Sequence, residues 1–288
     1  MSPLGYPDGT TFANYWPSVQ HVIGKDILRT HTLFWLSMTH ALGITPYGRL
    51  HVSGHLLGSD GRKMSKSLGN GVDPLVAADT YGVDALRYTL VREVSFGFDG
   101  IISDAVIEQR LNRDLADDLG NLVTRTLAMV AKYRGGAVPA PRAYDASENV
   151  IIARAAELPD MVLALVEEMK PGRAVELVME FVTHLNGYVT KSAPWTLARC
   201  PDASDRLDTV LYTLLEALYS MSNLLFPVMP DKMGELRVLL GASAGPSWGV
   251  PWGEGVRPGS FVGAGILFPK QAVAIRPTVS SLSQSQPE

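Results

Sequence analysis

The sequence predicts an α/β region followed by an all-α region, and three observations support this fold class. Over residues 1–100, short apolar runs alternate with helical patterns, as in parallel α/β sheets. Over residues 101–275, long stretches repeat apolar residues at helical spacing. The 288 residues are 46% hydrophobic and 19% charged, which is the composition of a folded protein with a substantial core. We expect the polar residues 276–288 to form a disordered tail.

Two strands and one helix are predicted in the first part of the chain. Residues 21–23 form a short apolar run that suits a buried strand, and residues 49–57 form a second run before a Gly-Asp-Gly turn. Asp26 is placed to cap a helix that runs to about Leu42. A parallel sheet needs cover on its faces and edges, and two strands do not provide it. We therefore expect this α/β region to be incomplete.

Helices are predicted for most of the remaining chain. Two short ones begin at Asp73 and Asp84, where an acidic residue precedes an apolar pattern. From Ser103 onward, leucine and valine recur at helical spacing, which predicts an α-helical bundle. The predicted bundle helices cover 103–133, 148–169 with Pro159 as a kink or break, a third helix ending before Pro194, 204–225 and 229–240.

The segment KMSKSLGN, residues 63–70, carries the chemistry that the sequence makes most specific. Lys63 and Lys66 place two ammonium groups three residues apart, and Ser65 and Ser67 add hydroxyl groups between and beside them. Such a loop can close over a polyphosphate, and its lysines would stabilise the negative charge that develops during nucleotidyl transfer. The alternative is a solvated surface loop that contains two lysines.

Charge and cysteine content exclude several other classes of site. With 25 basic and 29 acidic residues, the net charge of −4 gives no general attraction to polyanions, so any RNA contact must come from a local patch. Cys200 is the one cysteine, which excludes an intrachain disulfide and a cysteine-built metal site. His51 and His55 have no acidic or thiol neighbour in sequence, so we expect no metal site. We also expect no membrane span and see no targeting signal.

The segment KMSKSLGN resembles the second signature motif of class I aminoacyl-tRNA synthetases. The segment HVIGKDILRTH, residues 21–31, resembles the methionyl family in particular. The resemblance implies that residues 1–100 are the C-terminal part of a Rossmann-like catalytic domain. It also implies catalytic roles for Lys63 and Lys66. The ATP-binding residues that the resemblance implies are Lys63, Met64, Ser65, Lys66 and Ser67.

The same resemblance implies a methionine site on the first predicted strand and helix. Asp26 would lie near the amino group of methionine, and His31 near its thioether side chain. The ordinary alternatives are a plain helix N-cap for Asp26 and a satisfied buried histidine for His31. The chain departs from the family at Thr30, where phenylalanine is usual, and at Leu36, where proline is common. We expect these changes to alter the packing of the pocket.

Two segments of the helical region resemble the anticodon-binding elements of the methionyl family. They are GNLVTR, residues 120–125, and APW, which ends at Trp195. Asn121 and Arg125 are four residues apart, so they project from one helical face. Single-stranded RNA is read by stacking bases on aromatic rings and by hydrogen bonds from Asn and Arg. The resemblance implies that Trp195 stacks on a base and that Asn121 and Arg125 read base edges; a packing Asn, a solvated Arg and a core Trp are the alternatives.

The resemblance covers nearly all of the chain but only the C-terminal half of the family. The His-x-Gly-His motif with which class I synthetases bind ATP does not occur in the sequence. We therefore expect a partial methionine–tRNA ligase, with ATP as substrate and Mg²⁺ accompanying the ATP, that does not form methionyl-adenylate alone. A non-catalytic tRNA-binding fragment and another class I synthetase are the alternatives.

The implied partners are methionine, ATP and tRNA-Met with its CAU anticodon, and no membrane is among them. The implied compartment is the mitochondrial matrix or the bacterial cytoplasm. The sequence leaves the oligomeric state open.

Overall fold

The computed structural model describes residues 4–65, 67–243 and 245–271. Lys66 and the predicted tail 276–288 lie outside the described residues. The elements of the first region, in chain order, are α1 (Thr10–Tyr15), a 3₁₀ turn (Trp16–Ser18), β1 (Gln20–Gly24), a 3₁₀ turn (Lys25–Ile27), a π-helical turn (Thr30–Phe34), α2 (Trp35–Ala41), β2 (Arg49–Ser53), β3 (Leu56–Leu57), α3 (Pro74–Tyr81), α4 (Val83–Glu93) and β4 (Gly100–Ile101).

Both predicted strands are present, and they pair in parallel. β1 and β2 run side by side with Gln20 opposite Arg49 and Gly24 opposite Ser53. Ile23 is buried, whereas Val22 on the other face of β1 is 61% exposed. Neighbouring side chains of a strand point to opposite faces, so among the described residues β1 is covered on one face and largely open on the other.

The second predicted strand is interrupted at Gly54, which the sequence pattern did not predict. A Cβ atom at Gly54 would lie 1.9 Å from the carbonyl oxygen of Phe98, because the chain after α4 crosses the strand at this point. The Gly97 N–H donates to the carbonyl oxygen of Val52 at 2.8 Å. Beyond the crossing, β3 pairs in parallel with β4, a two-residue strand too short for a sequence pattern to reveal.

The predicted helix from Asp26 to about Leu42 is present as an unbroken helical stretch over residues 25–41, but its first half is not a regular α-helix. The chain makes a 3₁₀ turn at Lys25–Ile27 and a π-helical turn at Thr30–Phe34 before the regular helix α2 begins. The Asp26 side chain accepts no capping bond from this helix. Its carboxylate is turned toward the lysine loop instead, so the simple N-cap interpretation does not hold.

The second region is a bundle of long helices. Its elements are α5 (Asp104–Arg110), a π-helical segment (Leu111–Gly120), α6 (Asn121–Arg134), α7 (Ala146–Glu167), α8 (Pro171–Ser192), α9 (Pro194–Leu197), a 3₁₀ turn (Pro201–Ala203), α10 (Ser204–Leu225) and α11 (Pro230–Leu239). The Ser103 hydroxyl accepts the N–H of Val106 at 3.3 Å, as its predicted capping role requires. α5, the π-helical segment and α6 follow one another without a break, as the predicted helix 103–133 requires.

α7 is continuous through Pro159, where a kink or break was predicted. A proline inside a helix removes one backbone hydrogen bond. Leu158 and Val162, on either side of it, are 0% and 6% exposed, so both side chains are packed in the bundle core. Burial of such side chains stabilises by about 1.5–3 kcal/mol each, which offsets the missing bond.

One large core joins the bundle to α3 and α4. Tyr88 of α4 is fully buried, and its hydroxyl donates to Asp114 Oδ2 at 2.9 Å. Arg110 pairs with Asp114 at 3.0 Å and with Glu93 at 2.6 Å, so charged groups support the same junction. The buried residues of the first sheet, Trp16 and Ile23 among them, lie outside this core. α3 and α4 therefore pack with the helices that follow them.

Candidate active site and RNA-binding face

The candidate active site lies where β1 and β2 end. Parallel sheets bind ligands at the carboxyl ends of their strands, because loops from several strands meet there. Asp26 follows β1, and His55 follows β2. Lys63 begins the lysine loop and bridges back to Leu57 of β3. Three segments that are distant in sequence thus supply polar side chains to one edge.

The structure brings together Asp26 and Lys63, two of the predicted site residues. Lys63 Nζ donates to Asp26 Oδ2 at 3.4 Å, although the residues are 37 positions apart. The two side chains are 53% and 56% exposed, so both are accessible to a ligand. The backbone N–H of Asp26 and then the Lys63 ammonium hold the pKa of the Asp26 carboxyl below its usual value. Asp26 therefore presents a carboxylate at neutral pH.

A second ion pair joins the ends of the two strands. Lys25 Nζ donates to Asp99, and the backbone N–H of His55 donates to Asp99 Oδ1 at 2.8 Å. The hydrogen bond from Lys25 is the largest cause that lowers the pKa of the Asp99 carboxyl. Sequence reasoning did not single out Asp99. Its place in a Gly-rich stretch after α4 gave no sign that the chain returns to β2 there.

The hydroxyl groups of the lysine loop interact with each other and with the loop backbone. Ser65 Oγ and Ser67 Oγ lie 3.3 Å apart, and the N–H of Leu68 donates to Ser65 Oγ at 3.3 Å. Met64 is half-buried against the large core, and its N–H donates to the carbonyl oxygen of Leu56 at 2.9 Å. The loop is therefore anchored at Met64 and exposed beyond it. Lys66, the second predicted catalytic lysine, lies outside the described residues.

His31 lies in a cluster of aromatic rings on the inner face of β1. Its Nδ1–H donates to the carbonyl oxygen of Ile27 at 3.0 Å, and Nε2 is the ring nitrogen that this bond does not use. The ring of His21 meets it edge-on with the ring centres 5.5 Å apart. Tyr47 stacks at 4.1 Å on His21, and its hydroxyl donates to the carbonyl oxygen of His31 at 3.0 Å. The ring of His31 is thus fixed in orientation.

Two polar atoms of this cluster are buried without a hydrogen-bond partner. They are Nδ1 of His21 and Nε1 of Trp35, whose rings lie 6.1 Å apart. Burial, and then the nearby His31, lowers the pKa of His21. The neutral imidazole is therefore the stable form at neutral pH. Sequence analysis did not single out Trp35; its four-residue spacing from His31 was the available signal.

The predicted RNA-binding residues lie on the bundle surface. The Arg125 guanidinium lies over the Trp195 ring, 5.9 Å from its centre. Trp195 is 39% exposed, so it is not a core tryptophan. Asn121 is exposed one helical turn before Arg125, at the start of α6. A cation stacked on an exposed indole gives a surface on which a base can also stack.

The backbone before Trp195 has an unusual conformation. Ala193 ends α8 with φ of 43°, in the left-handed region that non-glycine residues seldom adopt. Pro194 follows it and is buried, and it begins the short helix α9. Such strain of about 1–3 kcal/mol persists only where surrounding packing enforces it. The sharp turn directs Trp195 back toward α6, where it meets Arg125.

The two histidines of the second strand have protein partners. His51 Nε2 lies 2.8 Å from Gln20 Oε1, and His55 lies beside the Lys25–Asp99 pair. Among residues 4–65, 67–243 and 245–271, no three acidic, histidine or cysteine side chains converge on a metal position. Within the same residues, no helix has both the length and the apolar content to span a membrane.

Comparisons with known proteins identify the family. The family model described as "tRNA synthetases class I (M)" matches residues 5–127. The chain is 48% identical over 251 residues to the methionine–tRNA ligase of Deinococcus radiodurans, a match covering 87% of this chain and 37% of that protein. It is 38% identical over 273 residues to the same enzyme of Clostridium tetani, covering 94% of this chain and 42% of that protein.

A solved structure agrees with these matches. The methionyl-tRNA synthetase of Mycobacterium tuberculosis bound by methionyl-adenylate superposes with a TM-score of 0.85 at 37% sequence identity. The match covers 92% of this chain and 53% of that one, so the chain spans about a third to a half of these relatives. Over that span the sequence and the backbone agree together, and the chain belongs to the methionyl-tRNA synthetase family of class I aminoacyl-tRNA synthetases.

Proposed function

We propose that the chain supplies the lysine loop, part of the methionine site and the anticodon-binding face of a methionine–tRNA ligase. In this reaction the methionine carboxylate attacks the α-phosphorus of ATP and displaces pyrophosphate. A hydroxyl of the terminal ribose of tRNA then attacks the carbonyl carbon of the resulting adenylate, takes the methionyl group as an ester, and displaces AMP. The observation that carries the proposal is the 3.4 Å contact between Lys63 of the lysine loop and Asp26 of the methionine site.

Asp26 and Lys63 exchange partners in the proposed mechanism. Without ligand, the Asp26 carboxylate faces the Lys63 ammonium. The α-ammonium group of methionine takes the place of Lys63 at Asp26, since both are ammonium donors to one carboxylate. Lys63 is then free to turn to the phosphates, where it stabilises the charge that builds up as pyrophosphate leaves. Methionine binding therefore prepares the loop for ATP.

The aromatic cluster supplies the proposed contact with the methionine side chain. A thioether is soft and apolar, and it packs favourably at the edge of aromatic rings. His31 is fixed by Ile27 and Tyr47, which gives the side chain a rigid wall. Its Nδ1–H is already used, so the ring offers methionine a surface and the Nε2 atom.

ATP is the proposed nucleotide substrate, and Mg²⁺ would arrive with it. Mg²⁺ keeps several waters and is commonly held by one or two carboxylates together with phosphate oxygens. Phosphate oxygens of ATP and water would then supply most of the Mg²⁺ ligands. Lys63, Met64, Ser65, Lys66 and Ser67 form the proposed nucleotide loop.

The bundle supplies the proposed contact with tRNA-Met. Trp195 offers an exposed ring for one anticodon base, and Arg125 extends the same stack with a cation. Asn121 is exposed one turn away, and its carboxamide offers both donors and an acceptor to a base edge. The named relatives are bacterial, which favours the bacterial cytoplasm over the mitochondrial matrix.

Two assays test the proposal. Purified chain should retain tRNA with a CAU anticodon on filters at least about tenfold more tightly than the same tRNA with an altered anticodon, since hydrogen bonds from Asn121 and Arg125 to base edges that the altered bases leave unpaired cost roughly 1–3 kcal/mol. In the intact gene product, methionine-dependent exchange of pyrophosphate into ATP should fall by about 10²–10³ on Lys63→Ala. Equal retention of the two tRNAs contradicts the anticodon assignment. Exchange unchanged by Lys63→Ala contradicts the loop assignment.

A further inference from the structure

The base of the lysine loop is closed by the side chain of Asn70. Asn70 Oδ1 accepts the backbone N–H of Ser65 at 3.0 Å. Asn70 Nδ2 donates to Asp60 Oδ1 at 3.2 Å and lies 3.4 Å from the carbonyl oxygen of Lys63. The Asn70 carboxamide, at the loop exit, therefore bonds to Asp60 before the loop and to the backbone of Lys63 and Ser65 at the loop entry.

The Asp60 carboxylate, which accepts from Asn70, is also held by two hydrogen bonds from Arg62. Its Oδ1 accepts the backbone N–H of Arg62 at 3.0 Å, and its Oδ2 accepts the Nε–H of Arg62 at 2.7 Å. These two bonds, the backbone one first, lower the pKa of the Asp60 carboxyl. Asp60, Arg62 and Asn70 thus form a bonded set at the loop base, named here the loop clasp.

The loop clasp requires close approach of two backbone segments. A Cβ atom at Gly58 would lie 2.7 Å from the carbonyl oxygen of Asn70 and 3.2 Å from its Nδ2. The N–H of Gly58 also donates to the carbonyl oxygen of Arg62 at 2.9 Å. Only a residue without a side chain lets the loop exit pass this close to its entry.

We propose that Asn70 is a positioning residue, and that the loop clasp holds Lys63 where its ammonium faces Asp26. Lys63 is fixed at its backbone by the bridge to Leu57 and by Asn70, and its side chain spans the gap to Asp26. The clasp makes no contact with Asp26 itself, so its effect passes through Lys63. This proposal rests on the proposed function only in assuming that Lys63 binds the phosphates of a nucleotide.

The first test breaks the hydrogen bond from Asn70 to Asp60 and then restores it with donor and acceptor exchanged. Asn70→Asp places a carboxylate against Asp60, and Asn70→Ala removes the carboxamide. Both should speed backbone hydrogen exchange over residues 60–70 by roughly tenfold, because each lost hydrogen bond shifts the equilibrium between the folded and the opened loop by a factor of about 3–10. The double variant Asp60→Asn with Asn70→Asp restores an N–H···O pair in the opposite sense but not the bonds to the Lys63 carbonyl oxygen and the Arg62 Nε–H, so its exchange should be about threefold or more slower than that of Asn70→Asp.

The second test measures Lys63 directly by competitive acetylation and mass spectrometry. Lys170 is the internal reference, because it is 59% exposed and paired with Glu168 at 2.7 Å, and it makes no hydrogen bond to the clasp residues Asp60, Arg62 and Asn70. In Asn70→Ala, the reactivity of Lys63 should rise at least about twofold relative to Lys170, since a surface ion pair has been weakened. A general loss of stability would change both lysines and would leave their ratio unaltered.

The outcomes separate the clasp from the proposed function. Unchanged exchange in Asn70→Ala, or a double variant no better than Asn70→Asp, overturns the clasp. An unchanged ratio of Lys63 to Lys170 overturns the positioning role. If the clasp results hold while Lys63→Ala leaves pyrophosphate exchange intact in the gene product, the clasp stands and the assignment of the loop to ATP fails.

Discussion

At the scale of single residues, the pKa of the Asp26 carboxyl reports on its contact with Lys63 of the lysine loop. Its pKa is lowered first by its own backbone N–H and second by the Lys63 ammonium. Lys63→Ala removes the charge and the hydrogen bond of Lys63 and leaves the backbone N–H in place. We expect the pKa of Asp26 to rise in this variant and yet to stay below the usual aspartate value of 3.8, as measured by carboxyl NMR titration.

Lys25→Ala is the matched control for that titration. Lys25 is next to Asp26 in the chain but is paired with Asp99, so its loss should raise the pKa of Asp99 and leave that of Asp26 nearly unchanged. A pKa of Asp26 that responds equally to both substitutions would mean that general charge, rather than the contact with Lys63, sets it.

Trp195 is the residue on which the RNA-binding proposal depends most. Trp195→Ala should weaken binding of a CAU-anticodon stem-loop by about tenfold or more, because one stacked base contributes roughly 1–3 kcal/mol. Trp195→Phe should retain most of the affinity, since an aromatic face remains. Fluorescence anisotropy of a labelled stem-loop measures both.

Trp248→Ala serves as the control because that ring is also exposed, at 53%, and has no proposed RNA contact. An equal loss of affinity for the Trp195 and Trp248 variants would remove Trp195 from the anticodon site. Circular dichroism should show unchanged helix content in all three variants.

At the scale of elements, α4 and α11 are joined by one buried carboxyl. Asp84 Oδ2 accepts the N–H of Lys232 at 2.7 Å, which satisfies a free amide at the start of α11. Asp84 Oδ1 is buried without a partner, and burial raises the pKa of the group above its usual value. The folded chain therefore binds a proton at Asp84 more readily than the unfolded chain does.

The raised pKa fixes the direction of a pH effect. Between the usual value of 3.8 and the raised value, the folded state holds more protons at Asp84, so its contribution to stability grows as the pH falls. Asp84→Asn keeps an acceptor for Lys232 and does not titrate. The unfolding free energy of the parent minus that of Asp84→Asn should thus increase from pH 7 to pH 4 in urea titrations. A constant or decreasing difference would contradict the assigned shift.

The elements also separate what a sequence pattern can predict from what it cannot. α10 has the bounds predicted from its leucine spacing, Ser204–Leu225, because helical periodicity is local. The crossing at Gly54 and the contact of Asp26 with Lys63 depend on chain segments 37 or more residues apart. No local pattern encodes such a contact. The family resemblance indicated both residues of the Asp26–Lys63 pair, but not that they would touch.

Pro159 and the start of α2 show a different limit of sequence patterns. Proline predicts a kink or a break at Pro159, and α7 is not broken there, because packing of the neighbouring side chains overrides the propensity. Before α2 the helix is present but includes a π-helical turn, at which the hydroxyl of Tyr47 donates to the carbonyl oxygen of His31. Functional segments are where local rules fail most often, and this turn carries one of the predicted methionine residues.

At the scale of the whole molecule, the predicted boundary near residue 100 separates the two proposed roles, but the packing places α3 and α4 against the later helices. Tyr81 donates to Glu108 at 3.1 Å, Arg87 donates to the carbonyl oxygen of Val228 at 2.9 Å, and Tyr88 is fully buried. These helices carry core side chains of the bundle. The first sheet, by contrast, contributes no buried residue to that core.

Two truncated chains test where the stable unit begins. A fragment of residues 72–271 retains α3 and α4, whereas a fragment of residues 102–271 exposes the surface they cover and leaves Asp114 without Tyr88. Burial of a large apolar side chain contributes about 1.5–3 kcal/mol, so loss of Leu86 and Tyr88 alone should cost the shorter fragment about 3–6 kcal/mol. We expect the longer fragment to unfold cooperatively in urea and the shorter one to be less stable or molten. Equal midpoints for the two would mean that the helical bundle is complete from α5 onward and that α3 and α4 belong with the first sheet.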